Sequence, residues 1–200
     1  MKRRKFLNST LAASASTAFL GALSNSGSAA APKHTFKLNY APHFNMFKNL
    51  GGKDPIDQLK FAADQGFSAW EDNQMKKKPI DLQKKIAATM EALKMKMGVF
   101  VAHGSIGRTT FVRKDNGVWE SVLQDIRDSI EVAKRVNAKW MTVVPGNVDE
   151  NGRDRLAMGY QTANVIELLR RCSDLLEPHG LVMVLEPLNW YANHGGVFLQ

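Results

Sequence analysis

The sequence predicts a parallel α/β fold: a (β/α)8 barrel of which about the first five βα units are present. Three observations carry this expectation. From Phe36 onward, short and almost continuously apolar runs alternate with segments of helical period, the pattern of strands covered on both faces. Strand, helix and strand follow one another over short connections, which favours parallel pairing through right-handed crossovers. Each apolar run also ends on polar or turn-forming residues at its carboxyl end, where parallel α/β folds gather their sites.

The first strand is expected over FKLNYAPHF, residues 36–44, ending at Pro42-His43. Asp54-Pro55 then supplies an N-cap with proline at the first helical position, and Ile56, Leu59, Ala62 and Ala63 recur at helical spacing up to Gly66. FSAWED, residues 67–72, forms a second strand ending in Glu71-Asp72, and Met75–Lys78 is expected to be a solvated charge run. Pro79 opens a second helix with Leu82, Ile86, Met90 and Leu93 on one face. MGVFVAHG, residues 97–104, is the third strand and ends in His103-Gly104. After a polar stretch, Val122, Ile126, Ile130, Ala133 and Val136 mark the buried stripe of a third helix. KWMTVVPGN, residues 139–147, is the fourth strand. A fourth helix runs from about Leu156 to Leu176, with Tyr160, Ile166 and Leu169 expected in its core face, and stops at Pro178-His179-Gly180. LVMVLEP, residues 181–187, is the fifth strand and runs straight into Glu186.

Two architectures satisfy this order. A doubly wound sheet usually places a glycine-rich phosphate loop after its first strand, yet the sequence there reads YAPHFNMFKNLGG, and no dinucleotide or P-loop fingerprint occurs anywhere. A barrel fits the polar strand ends better but takes about 250 residues, so the chain is expected to stop before the last three units. On that expectation the 200-residue chain is poorly stable and inactive by itself, because an open sheet leaves edges and interior uncovered.

Composition narrows the partners. A hydrophobic content of 44% with 23% charged residues suits a globular domain. Half of the formal excess of +8 comes from Lys2, Arg3, Arg4 and Lys5, and no acid precedes Asp54. The remaining basic residues form no dense stripe, so nucleic acid is not an expected partner. Cys172 is the only cysteine, which excludes an intramolecular disulfide and a cysteine-based zinc cage. The N-terminus reads as an address: KRRKFLN, then the mildly apolar LAASASTAFLGAL, then the small-residue segment SGSAAA. Residues 1–31 are expected to be an export signal and 32–200 the folded domain. Arg3-Arg4 with Phe6-Leu7 resembles a twin-arginine signal, which implies the twin-arginine export machinery as a partner and a periplasmic or secreted destination. The apolar stretch is too short for the ~20 residues of a stable membrane span.

Several motifs carry a family resemblance. APHFNMF after the first strand, GFSAWED at the second, and above all LEPLN followed by HGGVFL at the fifth resemble the hydroxypyruvate isomerase group. That group belongs to the xylose-isomerase-like TIM barrels, together with the ketose 3-epimerases. The likeness runs from about Lys37 to Gln200, although the turn reads NHGG where the group usually has Asp and Pro before its glycine. The resemblance implies a divalent metal, Mg2+ or Mn2+, held at the barrel mouth by carboxylates with a His or Gln. Of those positions only Glu186 lies in this chain, as metal ligand and as one of two acid–base glutamates.

The residue types fit such chemistry. Interconverting an α-hydroxy aldehyde and a ketone moves a proton between adjacent carbons through an enediolate. A carboxylate tuned as a base can carry that proton, and oxygen-rich ligation suits Mg2+ or Mn2+. A carboxylate after five apolar residues is costly to bury without a partner, which singles out Glu186. His43, Glu71, His103 and Asn147, at the other strand ends, are the expected substrate-binding residues. The expected substrate is a small hydroxy-carbonyl compound or sugar, and a homo-oligomer is compatible with the fold. Alternative readings are a ketose 3-epimerase, an endonuclease IV-type abasic-site nuclease, and a non-catalytic sugar-binding protein.

Overall fold

The computed structural model describes residues 34–150 and 153–200; the expected export signal lies outside them. Helix α1 (Pro55–Asp64) leads to β1 (Ala69–Trp70), a short 3-10 turn (Met75–Lys77) and α2 (Ile80–Ala92). Then come β2 (Lys96–Met97), β3 (Val101–Gly104), α3 (Asn116–Val136), β4 (Trp140–Val144), α4 (Met158–Leu176), a second 3-10 turn (Glu177–His179) and β5 (Val182–Leu185). The helices begin where their chemistry dictates. Asp54 Oδ1 accepts the Ile56 N–H at 2.7 Å, with Pro55 at N1, and Asp115 Oδ1 accepts the Val118 N–H at 2.9 Å. Each cap satisfies an amide that no helical carbonyl can reach.

All ladders are parallel, in two sets: β1 beside β2, and β3–β4–β5. Strands β2 and β3 are two halves of one extended run. Gly98 N–H donates to Trp70 O at 2.7 Å, extending the pairing with β1, while Thr142 N–H donates to Phe100 O at 2.8 Å, opening the pairing with β4. Strand order therefore follows chain order, each new strand lying beside the one before. A doubly wound sheet reverses direction partway; a barrel does not.

One face of the sheet packs against the helices. Trp70, Phe100, Met141 and Val143 are buried there with Leu59, Ile86, Ile126, Leu168 and Leu176, each side chain contributing about 1.5–3 kcal/mol by leaving water. Val122, Ile126, Ile130, Ala133 and Val136 form the expected stripe of α3. Across β4 and β5, Trp140 pairs with Val182, and both are exposed, whereas Met141 pairs with Met183 toward the core. Period-two alternation thus separates a helix-facing side from an open side.

Three expectations need correction. Residues 36–42 form no strand; Phe36, Leu38 and Tyr40 are exposed, Phe36 meets Phe67 and Asn39 accepts from Ser68 Oγ by side chain, and backbone pairing begins only at the segment's end. There Glu71 N–H donates to Pro42 O at 3.0 Å and His43 makes an isolated parallel bridge to Glu71. With β1 only two residues long, no ladder runs back to hold the rest. On α4 the buried apolar residues are Val165, Leu168, Cys172 and Leu176, with Leu169 half-buried against the core as expected, while Tyr160 and Ile166 are exposed. Met75–Lys78 is not a solvated run: Met75 is fully buried, Lys76 is paired with Asp125 and Lys78 with Asp72 at 2.7 Å.

Candidate active site

The carboxyl ends of the strands collect the expected residues, but not on one surface. His43 and Glu71 are cross-strand neighbours through their bridge and so point to the same side. His43 is exposed, with Nδ1 at 3.0 Å from Phe44 O, and Glu71 is half-buried.

His103 takes a different direction. The β3–β4 register shifts between Val101 and His103, setting His103 opposite Val143, a helix-facing residue. This bulge changes the pleat phase and turns the imidazole into the helix layer. There Nδ1 lies 2.9 Å from Asp125 Oδ2 on α3, and the ring packs against Phe111. Asp125 Oδ1 takes the Lys76 ammonium at 2.6 Å, and Lys76 also donates to Ala102 O and to Asp125 O. Lys76 thereby serves the edge of β3 where β1 has already ended. Burial pushes the His103 pKa down, outweighing the carboxylate beside it, so the ring is neutral and donates from Nδ1. Burial opposes the charge on Asp125, but the Lys76 ammonium and His103 outweigh it and hold the carboxyl below its usual range. A cavity of about 350 Å³ opens beside this network, lined by Lys76, His103 and Asp125 among others; Glu186 does not line it.

The loops after β3, β4 and β5 are stitched together. Asn147 Oδ1 accepts the Gly107 N–H at 2.8 Å, its Nδ2 donates to Gly195 O at 3.2 Å, and its backbone N–H donates to Arg108 O. Val148 N–H reaches Gly196 O, and Phe198 N–H reaches Gly146 O. Gly146 has φ +92, and a Cβ there would lie 2.5 Å from Arg108 O, so only glycine admits the close approach. Asn147 therefore uses both ends of its amide on backbone. Arg113 is held by Asp149 at 2.7 Å and by Asp154 O.

Glu186 follows β5, with its N–H on Val143 O at 3.3 Å, which continues the ladder by one residue. Alternation places it on the open side with Val182 and Val184. It is exposed, and among the described residues its carboxylate has no hydrogen-bond or ion-pair partner. A free carboxylate suits a hard divalent cation, but one donor is not a site. Among the described residues no group of three or more His, Cys, Asp or Glu side chains lies close enough to hold a metal. The donors present do not by themselves fit a bound cation. Sequence reading missed Lys76 and Asp125; the available signal was Ser129, fully buried in the α3 stripe one turn after Asp125 and bonded to its carbonyl.

Consecutive parallel strands with helices packed on one side define a barrel-type α/β fold. The chain belongs to the xylose isomerase-like TIM barrel family, whose model matches residues 59–199. Among solved structures it is similar to a family 2 AP endonuclease from Brucella melitensis, at 20% identity and TM-score 0.58, covering 80% of this chain and 58% of that one. It is also similar to a 3-keto-D-glucoside 4-epimerase from E. coli, at 16% identity and TM-score 0.57, covering 79% and 59%. A third is the IolI protein, solved with a zinc atom bound, at 17% identity and TM-score 0.55, covering 73% and 51%. The chain thus spans between half and three-fifths of the length of these structures, and at such identities the likeness is one of fold. No curated protein matches the chain by sequence. Among the described residues no helix is long and apolar enough to cross a membrane.

Proposed function

We propose that the protein is an isomerase that shifts a proton between the adjacent carbons of an α-hydroxy aldehyde and the matching ketone, with Glu186 as the proton carrier. Hydroxypyruvate and tartronate semialdehyde, or a related sugar, are the substrates favoured by the LEPLN and HGGVFL motifs. One observation carries the reading: Glu186 ends β5 on the open side, exposed and with no partner among the described residues. An acid without partners stays available to take a proton from carbon and return it, whereas an ion-paired one does not. Such positioned acid–base groups contribute about 10²–10⁴ in rate. Mg2+ or Mn2+ belongs to this proposal as the ion expected beside Glu186, for which the described residues form no group of three donors.

The test is isomerisation by the whole protein in D2O, followed by NMR. Glu186→Gln is expected to lower kcat by about a hundredfold or more, and unchanged turnover would sink the role. The position of the deuterium separates two versions. Label on the neighbouring carbon fits the isomerase; label confined to the inverted carbon fits a ketose 3-epimerase. A nuclease reading is disfavoured because His103, the strand-end histidine it would draw on, is engaged with Asp125 in the helix layer.

Export belongs to the same proposal. Replacing Arg3 and Arg4 by lysine is expected to leave the protein in the cytoplasm with its N-terminal segment uncleaved. Periplasmic, processed protein from that variant would contradict the twin-arginine route.

A further inference from the structure

The loop that carries Glu186 has two ends, and only one is held by a strand. Its first end is the β5 ladder through Glu186 N–H to Val143 O. Leu188 N–H donates to Leu199 O at 3.3 Å, closing the loop near its base. Between them Asn189 organises the tip: its Oδ1 accepts from Ala192 N–H and its carbonyl from Asn193 and His194 N–H. The returning end, residues 195–198, rests on the turn after β4 through Asn147 Nδ2 to Gly195 O, Val148 N–H to Gly196 O and Phe198 N–H to Gly146 O. Among the described residues Asn147 is the one side chain hydrogen-bonded across that seam, and its Oδ1 carries the connection onward to Gly107 in the loop after β3. The packing is close: a Cβ on Gly196, at φ +76, would stand 2.9 Å from Asn147 Nδ2.

We infer that Asn147 is a positioning residue, which fixes the Glu186 loop against the loops after β3 and β4 and so sets the direction of the Glu186 carboxylate. The inference rests on the proposed role of Glu186 and gives Asn147 a task distinct from touching substrate. A side chain with its oxygen and one N–H committed to backbone has little left for a ligand, while small misplacements of a catalytic group are costly in rate.

Asn147→Ala and Asn147→Asp separate the outcomes in the whole protein. Aspartate keeps the acceptor for Gly107 N–H and loses the donor to Gly195 O. Hydrogen exchange is expected to accelerate at Val148 and Phe198 in both variants, but at Gly107 only in the alanine variant. Turnover is expected to fall about ten- to hundredfold in both, with KM changed less than about twofold. A rise in KM with unchanged loop exchange would overturn the inference in favour of direct substrate contact. Faster exchange with unchanged kcat would overturn it in favour of a purely structural tie. Exchange does not depend on the reaction, so an active Glu186→Gln protein with the expected exchange pattern would refute the Glu186 role while leaving the seam intact.

Discussion

His103 and Glu186 both stand at the carboxyl end of a parallel strand, yet they live in opposite surroundings. His103 is 7% exposed, neutral, and locked to Asp125 and through it to Lys76. Glu186 is exposed on the open side, with no partner among the described residues. The difference comes from one irregularity. The register shift in β3 reverses the pleat phase for His103, whereas the β4–β5 ladder runs regularly from Trp140 and Val182 to Val143 and Leu185 and delivers Glu186 to the open side. Strand-end position selects candidates; pleat phase decides which of them faces the open side.

The comparison breaks most severely if the helix-side network is removed. Lys76→Met strips the donor from Ala102 O and leaves Asp125 facing His103 without its cation. The expected loss is about 2–3 kcal/mol in urea unfolding, and a change below 0.5 kcal/mol would deny the network its role. Asp125→Asn comes next, at about 1–2 kcal/mol, because the carboxylate is partly open to solvent, which screens its pairing.

A pH series sharpens the same contrast. The pKa of His103 is lowered from 6.5 in the folded protein, so the unfolded chain binds a proton that the folded one refuses. Its contribution is present above the unfolded value and is lost as pH falls below about 6.5. The Asp125 shift is also downward, so its contribution fades only in the more acid range below 3.8. Stability measured from pH 7 to 5 is expected to decline less in His103→Gln than in the parent; parallel curves would contradict the buried, neutral assignment. The smallest effect belongs to the other side: Glu186→Gln is expected to change stability by less than about 0.5 kcal/mol, as for an exposed residue without partners.

Much of this was legible in sequence, for identifiable reasons. The cap at Asp54 and the apolar stripe of α3 are local signals, and local structure follows them. Glu186 was legible because a charge after Leu181–Leu185 breaks an otherwise apolar run. The direction of His103 was not, since a bulge adds a residue without any mark in composition. Lys76 looked solvated because its partner, Asp125, lies 49 residues further on. The 36–42 segment alternates like a strand, but pairing needs a neighbour, and the backbone offers one only past the end of β1, at Glu71.

The central claim is that the open side does the chemistry and the helix side does the holding. Its most direct measurement is kcat and melting temperature together, on the whole protein, for Glu186→Gln and His103→Gln. The account predicts that Glu186→Gln keeps the melting temperature and loses turnover, while His103→Gln lowers the melting temperature and keeps the turnover of the folded fraction. The reverse pattern, with turnover lost at His103 and kept at Glu186, would contradict it.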